Sequence, residues 1–185
     1  MKHLSVELLQ LLPQGSEIKF AFGLTVRWMT GSLRKGILKV TYRNMAKRFE
    51  VMRAVVHPWH HDHFGHMNVR HYATFFDDAT YHLWTCIGLP YSRMLDEHGV
   101  HCVTAQATTH FVKELVAGDL IVIDGVVARI GTKSVAFELE MRHAETCALH
   151  ATYEITEVFF DPGTRTSAAM PASVRKRLEG LVLRD

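Results

Sequence analysis

The most regular pattern of hydrophobic and polar positions lies between Asn68 and Gly88. Apolar residues recur there at three- and four-residue spacing, at Tyr72, Phe75, Phe76, Ala79, Leu83 and Cys86. This spacing is typical of a helix that buries one face against a core. Asn68 is a suitable N-cap, and Gly88 followed by Pro90 predicts the helix end. The pattern therefore predicts one long amphipathic helix, and residues 91–98 predict a second, short helix that ends at Gly99.

Strand patterns surround the long helix. Residues 49–56 favour a strand that ends at Pro58. After Gly99 the period changes to two, which predicts four further strands at 100–112, 120–130, 135–142 and 151–160. In the first of them, one face is predicted to carry Val103, Ala105, Ala107, Thr109 and Phe111. Residues 172–183 predict a basic C-terminal helix behind Pro171.

The order of these elements predicts the fold class. Consecutive strands joined by short turns indicate an antiparallel sheet, and the long helix must bury its apolar stripe against that sheet. We therefore predict an α+β protein of the hot-dog type, with an antiparallel sheet wrapped around one long central helix. Such a sheet keeps open edges, so we expect a homodimer or homotetramer.

Residues 1–48 have no comparable pattern. Leucines between residues 4 and 12 favour a short helix that ends before Pro13. Residues 1–49 carry nine Lys or Arg and two acids, hence +7, whereas the remainder carries −5, for a net charge of +2. We interpret residues 1–48 as a basic N-terminal extension, partly disordered, and residues 49–185 as the folded domain. A transit peptide or a membrane-surface patch are alternatives for the extension.

Composition excludes several functions. The acidic balance of the folded domain argues against nucleic-acid binding. No apolar run approaches the roughly 18 residues expected of a membrane span. The cysteines, Cys86, Cys102 and Cys147, lack metal-binding spacing, which indicates reduced thiols and a cytoplasmic protein.

The candidate chemistry lies in residues 57–72, HPWHHDHFGHMNVRHY. One carboxylate, Asp62, is surrounded by six histidines: His57, His60, His61, His63, His66 and His71. Gly65 follows, and Asn68 opens the long helix. A helix start exposes unpaired N–H groups that can hold an oxyanion, and a carboxylate beside it can act as base or nucleophile. The alternative is that Asp62 is an ordinary turn residue.

These residues resemble the hot-dog acyl-CoA thioesterases of the 4-hydroxybenzoyl-CoA thioesterase type. The family signature is an Asp, two residues, Gly, and a helix with a Tyr ten residues after the Asp, as in Asp62, Gly65 and Tyr72. Gly-His-Met-Asn at 65–68 and the stretch 109–123 are also similar to the family. Residues 141–154 most resemble thioesterases of carnitine degradation that act on betainyl-CoA. The resemblance covers about residues 49–180.

The resemblance implies hydrolysis of an acyl-CoA thioester to free acid and coenzyme A, without a cofactor or metal. Asp62 would attack the thioester or activate water, and the backbone N–H of Val69 would bind the oxyanion. The implied substrate-binding residues are Gly65, His66, Asn68 and Tyr72. Capping for Asn68 and core packing for Tyr72 are the alternatives. Candidates for the coenzyme A phosphates are Lys113, Arg129 and Lys133, which can equally be solvated charges.

Other functions remain open at this point. A metal site is one, formed by Asp62 with His57, His60, His61, His63 and His66, although no His-Glu-x-x-His pair is present. Hydration or dehydration of acyl thioesters on the same fold is a second. A non-catalytic acyl-CoA-binding protein is a third. Some family members carry a His where this chain has Val69, so the proton partner of Asp62, if one is needed, is open among His63, His66 and His71.

Overall fold

The computed structural model describes residues 48–182 and three earlier strands, β1 (Glu17–Lys19), β2 (Leu24–Met29) and β3 (Ile37–Tyr42). These three strands pair antiparallel in the order β1-β2-β3. They belong to a compact unit that spans residues 1–45, and residues 46–185 form a second unit. The patterning indicated no strands in this early segment. The helix expected before Pro13 lies outside the described residues, and the boundary at residue 48 stays a prediction.

The described part of the second unit contains one antiparallel sheet, three α-helices and a short 3-10 helix (Pro58–His60). The α-helices are α1 (Val69–Ile87), α2 (Tyr91–His98) and α3 (Ala172–Glu179). The strands are β4 (Phe49–Val55), β5 (His101–Phe111), β6 (Leu120–Ile130), β7 (Ser134–His143), β8 (Leu149–Asp161) and β9 (Thr166–Ser167). The sheet order is β4-β6-β7-β8-β5, with β9 on β8, and every pair is antiparallel. The predicted α+β hot-dog fold is confirmed.

Helix α1 lies on the concave face of this sheet. Its buried residues are Tyr72, Phe76, Ala79, Thr80, Leu83, Trp84 and Ile87, whereas Cys86 is exposed. The apolar stripe therefore runs through Trp84 and Ile87 rather than through Cys86 as predicted. The sheet contributes alternate residues of β7, and Val135, Phe137, Leu139 and Met141 are fully buried. The half-buried pattern predicted for this strand is confirmed.

Gly125 on β6 lies directly against the Leu83 side chain of α1. A Cβ atom placed on Gly125 would lie 2.9 Å from Cδ2 of Leu83. Real Cβ contacts are almost never that short, so Leu83 occupies space that a side chain at position 125 would need. A glycine interrupting a strand often marks such a close contact. The Leu83 side chain is thus seated against bare backbone of the sheet.

Strand β5 differs from its prediction in one respect. The register shifts between Thr104 and Gln106, where a bulge interrupts the alternation. Directly opposite residues of an antiparallel pair share a face. Ala107 lies opposite the buried Ile155, whereas Val103 lies opposite Val158, which is on the other face. The single face predicted to run from Val103 to Phe111 is therefore wrong, because the bulge inserts one residue.

Among the helices of the described residues, none has the length and apolar character needed to cross a membrane.

Candidate active site

A tight turn carries Asp62 between β4 and α1. His61 and Met67 form an antiparallel bridge that closes the turn. Inside it, the Asp62 N–H donates to the His66 carbonyl at 2.9 Å, and the Gly65 N–H donates to the Asp62 carbonyl at 3.1 Å. Gly65 has a φ of +82°, and an added Cβ would meet no atom within 4 Å. Glycine is thus favoured here by backbone conformation rather than by crowding.

The Asp62 side chain is half-buried and held through one oxygen. Its Oδ1 accepts a hydrogen bond from the Phe64 N–H at 2.8 Å, which is the geometry of an Asx turn. No group in the described part of the chain donates to Oδ2. Asp62 is therefore a turn residue, as the alternative interpretation predicts. It also leaves one carboxylate oxygen free for a second role.

The start of α1 provides one free backbone donor. Asn68 is the N-cap, and its side chain accepts from the Arg70 N–H at 3.1 Å. The His71 N–H donates to the Asn68 carbonyl at 2.9 Å. Within residues 48–182, by contrast, the Val69 N–H makes no hydrogen bond. Asn68 thus performs the capping role, and Val69 presents an unpaired amide at the positive end of the helix.

These groups meet at a cavity of about 370 Å³. Of the predicted site residues, Asp62, His66, Val69 and Tyr72 line it, and Gly65 and Asn68 do not. The remaining lining residues are Phe64, Met67, Phe111, Val112, Lys113 and Glu114. The cavity therefore brings together Asp62, the residue with the unpaired helix-start amide, and a lining of both charged and apolar residues.

The three candidate phosphate ligands separate in the structure. Lys113 is exposed and lines the cavity. Lys133 lies elsewhere, and its amine donates to the carbonyl and hydroxyl of Ser167, both at 3.2 Å. Arg129 does not line the cavity either. Lys113 is the one candidate of the three that the fold places beside Asp62.

Tyr72 forms the inner wall of the cavity. It is 4% exposed, and its ring meets that of Phe111 edge to face at 5.1 Å. Burial raises the pKa of the Tyr72 phenol to about 12. The phenol therefore stays protonated at neutral pH. The core-packing interpretation of Tyr72 is correct, and a contact with substrate stays a prediction.

His66 has a partner that the sequence did not reveal. Its Nε2 lies 3.2 Å from Oε2 of Glu114, and both side chains line the cavity. The Met67 N–H donates to the Leu115 carbonyl at 2.8 Å, so the two segments are also joined through their backbones. Glu114 follows the end of β5 in a segment without regular period. No sequence signal marked it, because its partner lies 48 positions away.

The other histidines of the loop mainly pack against one another. The His60 ring lies 4.7 Å from that of His71 and 5.3 Å from that of Phe75. Its Nδ1 accepts from the His57 N–H at 3.0 Å. Burial, and then the neighbouring His71, lowers the pKa of His60. In the part of the chain that the structure describes, no three His, Cys, Asp or Glu side chains are grouped to hold a metal ion.

A buried acid lies beside a second cavity, of about 760 Å³, between α1, α2 and β5. Glu157 on β8 is 1% exposed. The Trp84 indole N–H donates to its Oε2 at 2.6 Å, and the Tyr91 hydroxyl donates to its Oε1. Burial raises the pKa of Glu157. The sequence contained a signal here, since Glu157 occupies an inward position between Ile155 and Phe159.

Comparisons with known proteins agree with this architecture. Residues 56–178 match the model of the thioesterase-like superfamily. No curated protein matches the chain significantly.

Solved structures with the same fold include a hypothetical protein from Staphylococcus aureus in complex with CoA. It is 22% identical to this chain and has a TM-score of 0.63, and the match covers 69% of this chain and 80% of that one. A 1,4-dihydroxy-2-naphthoyl-CoA thioesterase from Synechocystis has 14% identity, a TM-score of 0.63 and coverage of 71% and 96%. A gentisyl-coenzyme A thioesterase has 22% identity, a TM-score of 0.60 and coverage of 70% and 99%. At these identities the likeness concerns the fold.

Proposed function

Since the chain belongs to the thioesterase-like superfamily, we propose that it hydrolyses an acyl-CoA thioester to the free acid and coenzyme A. The observation that carries the proposal is that Asp62 and Val69, whose N–H is unpaired, line the same cavity. A thioester carbonyl in this cavity would have a hydrogen-bond donor and a carboxylate beside it. Both groups are needed for acyl transfer to water.

The proposed mechanism uses the helix start for charge stabilisation. Attack on the thioester carbonyl places negative charge on its oxygen. The fixed Val69 N–H stabilises this charge more strongly than the neutral carbonyl, which lowers the barrier. The free Oδ2 of Asp62 acts as the base that takes a proton from water, or as the nucleophile itself. Gly65 allows the turn that holds Asp62, and Asn68 caps the helix that holds Val69.

The substrate end of the proposal rests on neighbouring residues. Lys113 lies at the cavity and can pair with a phosphate of coenzyme A. The similar Staphylococcus aureus structure contains CoA, which supports the same ligand here. For the acyl group we propose betainyl, on the resemblance of residues 141–154. A hydrolysis panel of betainyl-CoA, gentisyl-CoA and 1,4-dihydroxy-2-naphthoyl-CoA, followed by thiol release, tests this choice. A clear preference for an aromatic acyl group would contradict it.

We further propose that the protein assembles as a homodimer or homotetramer through β5. This strand lies at the sheet edge and exposes Val103 by 43% and Phe111 by 54%. Exposed edges with apolar side chains favour pairing with another strand. Light scattering at micromolar concentration should give at least twice the monomer mass. A monomer under those conditions would contradict this proposal.

The free thiols of Cys86, Cys102 and Cys147 support a reducing, cytoplasmic setting.

Asp62→Asn tests the proposed reaction. The amide keeps the Asx turn and removes the charge, so the variant should fold and still bind coenzyme A. Turnover should fall about 100- to 10,000-fold, the usual effect of losing a general base. Near-normal turnover would show that Asp62 is only a turn residue. If the wild type binds acyl-CoA but hydrolyses none, the protein is an acyl-CoA-binding protein instead.

Asp161→Asn is the matched control. Asp161 has the same local role as Asp62, because its Oδ1 accepts from the Gly163 N–H at 2.8 Å. It does not line the cavity. Its substitution should leave turnover close to that of the wild type.

A further inference from the structure

The histidine that assists Asp62 can be chosen from the structure. Three candidates were open, and only one of them, His66, lines the cavity. His63 is exposed and its ring lies on that of Phe64, with centroids 3.9 Å apart. His71 packs against His60, and its Nε2 lies 3.3 Å from Nε of Arg70. Burial, and then Arg70, lowers the pKa of His71, which disfavours it as a proton donor.

Glu114 sets the orientation of the His66 ring. Glu114 lies 3.2 Å from Nε2, and no group among the described residues bonds to Nδ1. The backbone bond from Met67 to Leu115 fixes the distance between the two chain segments. Leu115 is fully buried, so this contact is anchored in the core. A carboxylate on one imidazole nitrogen sets the tautomer and orientation of the ring, and the other nitrogen remains for substrate.

We propose that His66 is a catalytic acid that protonates the departing sulfur from Nδ1, and that Glu114 is the positioning residue that holds it. The inference rests on the hydrolysis proposed above and adds a role for the leaving group. Asp62 and His66 flank a tight turn, so base and acid lie on one cavity wall.

The proposed hydrolysis proceeds by addition of water and departure of the thiol. Water attacks the carbonyl carbon and one of its protons passes to the Asp62 carboxylate. The carbonyl π electrons move to oxygen, beside the Val69 N–H. They then return to re-form the double bond, the carbon–sulfur bond breaks, and its electron pair goes to sulfur. The His66 imidazolium gives its Nδ1 proton to that sulfur. The proton on Asp62 returns to His66 through solvent, and the acid product loses its remaining proton to solvent.

Leaving-group dependence separates this role from a structural one. The same acyl group is offered as its N-acetylcysteamine thioester and as its 4-nitrothiophenyl thioester. The alkyl thiolate needs a proton to leave readily, whereas the nitroaryl thiolate is already stable. His66→Gln should lower kcat for the alkyl thioester by about 100-fold or more, as for loss of a general acid. It should leave the nitroaryl thioester nearly unchanged.

Glu114→Gln and two comparison variants complete the test. Glu114 is 72% exposed, so its substitution should not affect folding, and it should reduce turnover of the alkyl thioester alone, by less than His66→Gln does. His143→Gln is the matched control, since Nε2 of His143 lies 3.7 Å from Asp119 away from the cavity lining. It should change neither substrate. Asp62→Asn should slow both substrates.

The outcomes separate this inference from the proposed function. If His66→Gln and Glu114→Gln slow both thioesters equally, or slow neither, the acid role of His66 is overturned. If Asp62→Asn slows neither, the proposed base fails while the leaving-group comparison still decides on His66. If the wild type hydrolyses neither thioester nor the acyl-CoA panel, both proposals fail together.

Discussion

The buried carboxyl of Glu157 should make stability depend on pH in a way that one substitution removes. Glu157 is 1% exposed, and burial raises its pKa above the ordinary value of 4.5 despite the hydrogen bonds from Tyr91 and Trp84. The folded protein therefore holds this proton more tightly than the unfolded chain does. The resulting stability is complete below pH 4.5 and is lost as pH rises through the folded pKa.

Glu157→Gln keeps the shape of the side chain and cannot ionise. Its oxygen can accept from the Trp84 N–H and its amide can donate to the Tyr91 hydroxyl. We expect the free energy of unfolding of the variant, minus that of the wild type, to increase with pH above 4.5. The slope should approach about 1.4 kcal/mol per pH unit, the free energy of one pKa unit. The difference should level off once pH exceeds the folded pKa, so the plateau measures that pKa.

Glu157→Ala has a different expected result. It leaves the buried Trp84 N–H without an acceptor, which costs about 1–3 kcal/mol in addition to the lost packing. Urea unfolding between pH 5 and 9, monitored by tryptophan fluorescence, measures the free energy of unfolding of the wild type, Glu157→Gln and Glu157→Ala. Glu154→Gln is the control, because Glu154 is exposed on the same strand. A difference between Glu157→Gln and wild type that does not vary with pH would refute the reasoning.

Three substitutions, at two positions beside the candidate site, test the backbone that holds it. Asn68→Ala removes the acceptor for the Arg70 N–H and should lower the free energy of unfolding, measured in urea, by about 1 kcal/mol. Turnover should also fall if the Val69 amide shifts. Unchanged stability would show that the cap contributes nothing. Gly65→Ala forces an L-residue to a φ of +82° and should cost about 1–2 kcal/mol. Because no atom crowds that position, Gly65→Asn should be tolerated better than Gly65→Ala, and the reverse order would contradict the dihedral argument.

Features that depend on local spacing could be predicted from the sequence. The helix at 69–87 and the strands after Gly99 follow from periods of 3.6 and two residues, which neighbouring positions display directly. The turn at Asp62 and the N-cap at Asn68 also need only a few consecutive residues. From these residues the sequence predicts a carboxylate in a turn, followed by the amide at the helix start, as the structure has them.

Features that depend on distant contacts could not be predicted. Glu157 receives its hydrogen bonds from residues 73 and 66 positions earlier, and Glu114 meets His66 only after β5 returns to the start of α1. The bulge at Thr104 depends on pairing with β8, so the two-residue period misplaced Val103. The choice among His63, His66 and His71 likewise required the cavity, since their separations from Asp62 in sequence do not show which ring lines it.

The contact between Leu83 and the bare backbone at Gly125 has a mechanical consequence for the candidate site. Helix α1 is a stiff rod, and Leu83 lies fourteen residues after Val69, or about 21 Å along the axis at 1.5 Å per residue. A methyl group at position 125 would require the Leu83 side chain, or the helix that carries it, to shift. A tilt of the helix at this point would displace its other end. The Val69 amide would then move relative to Asp62, which is carried by the preceding turn. Variation in the core beneath the helix can therefore adjust the geometry of the candidate site without altering any residue of the cavity.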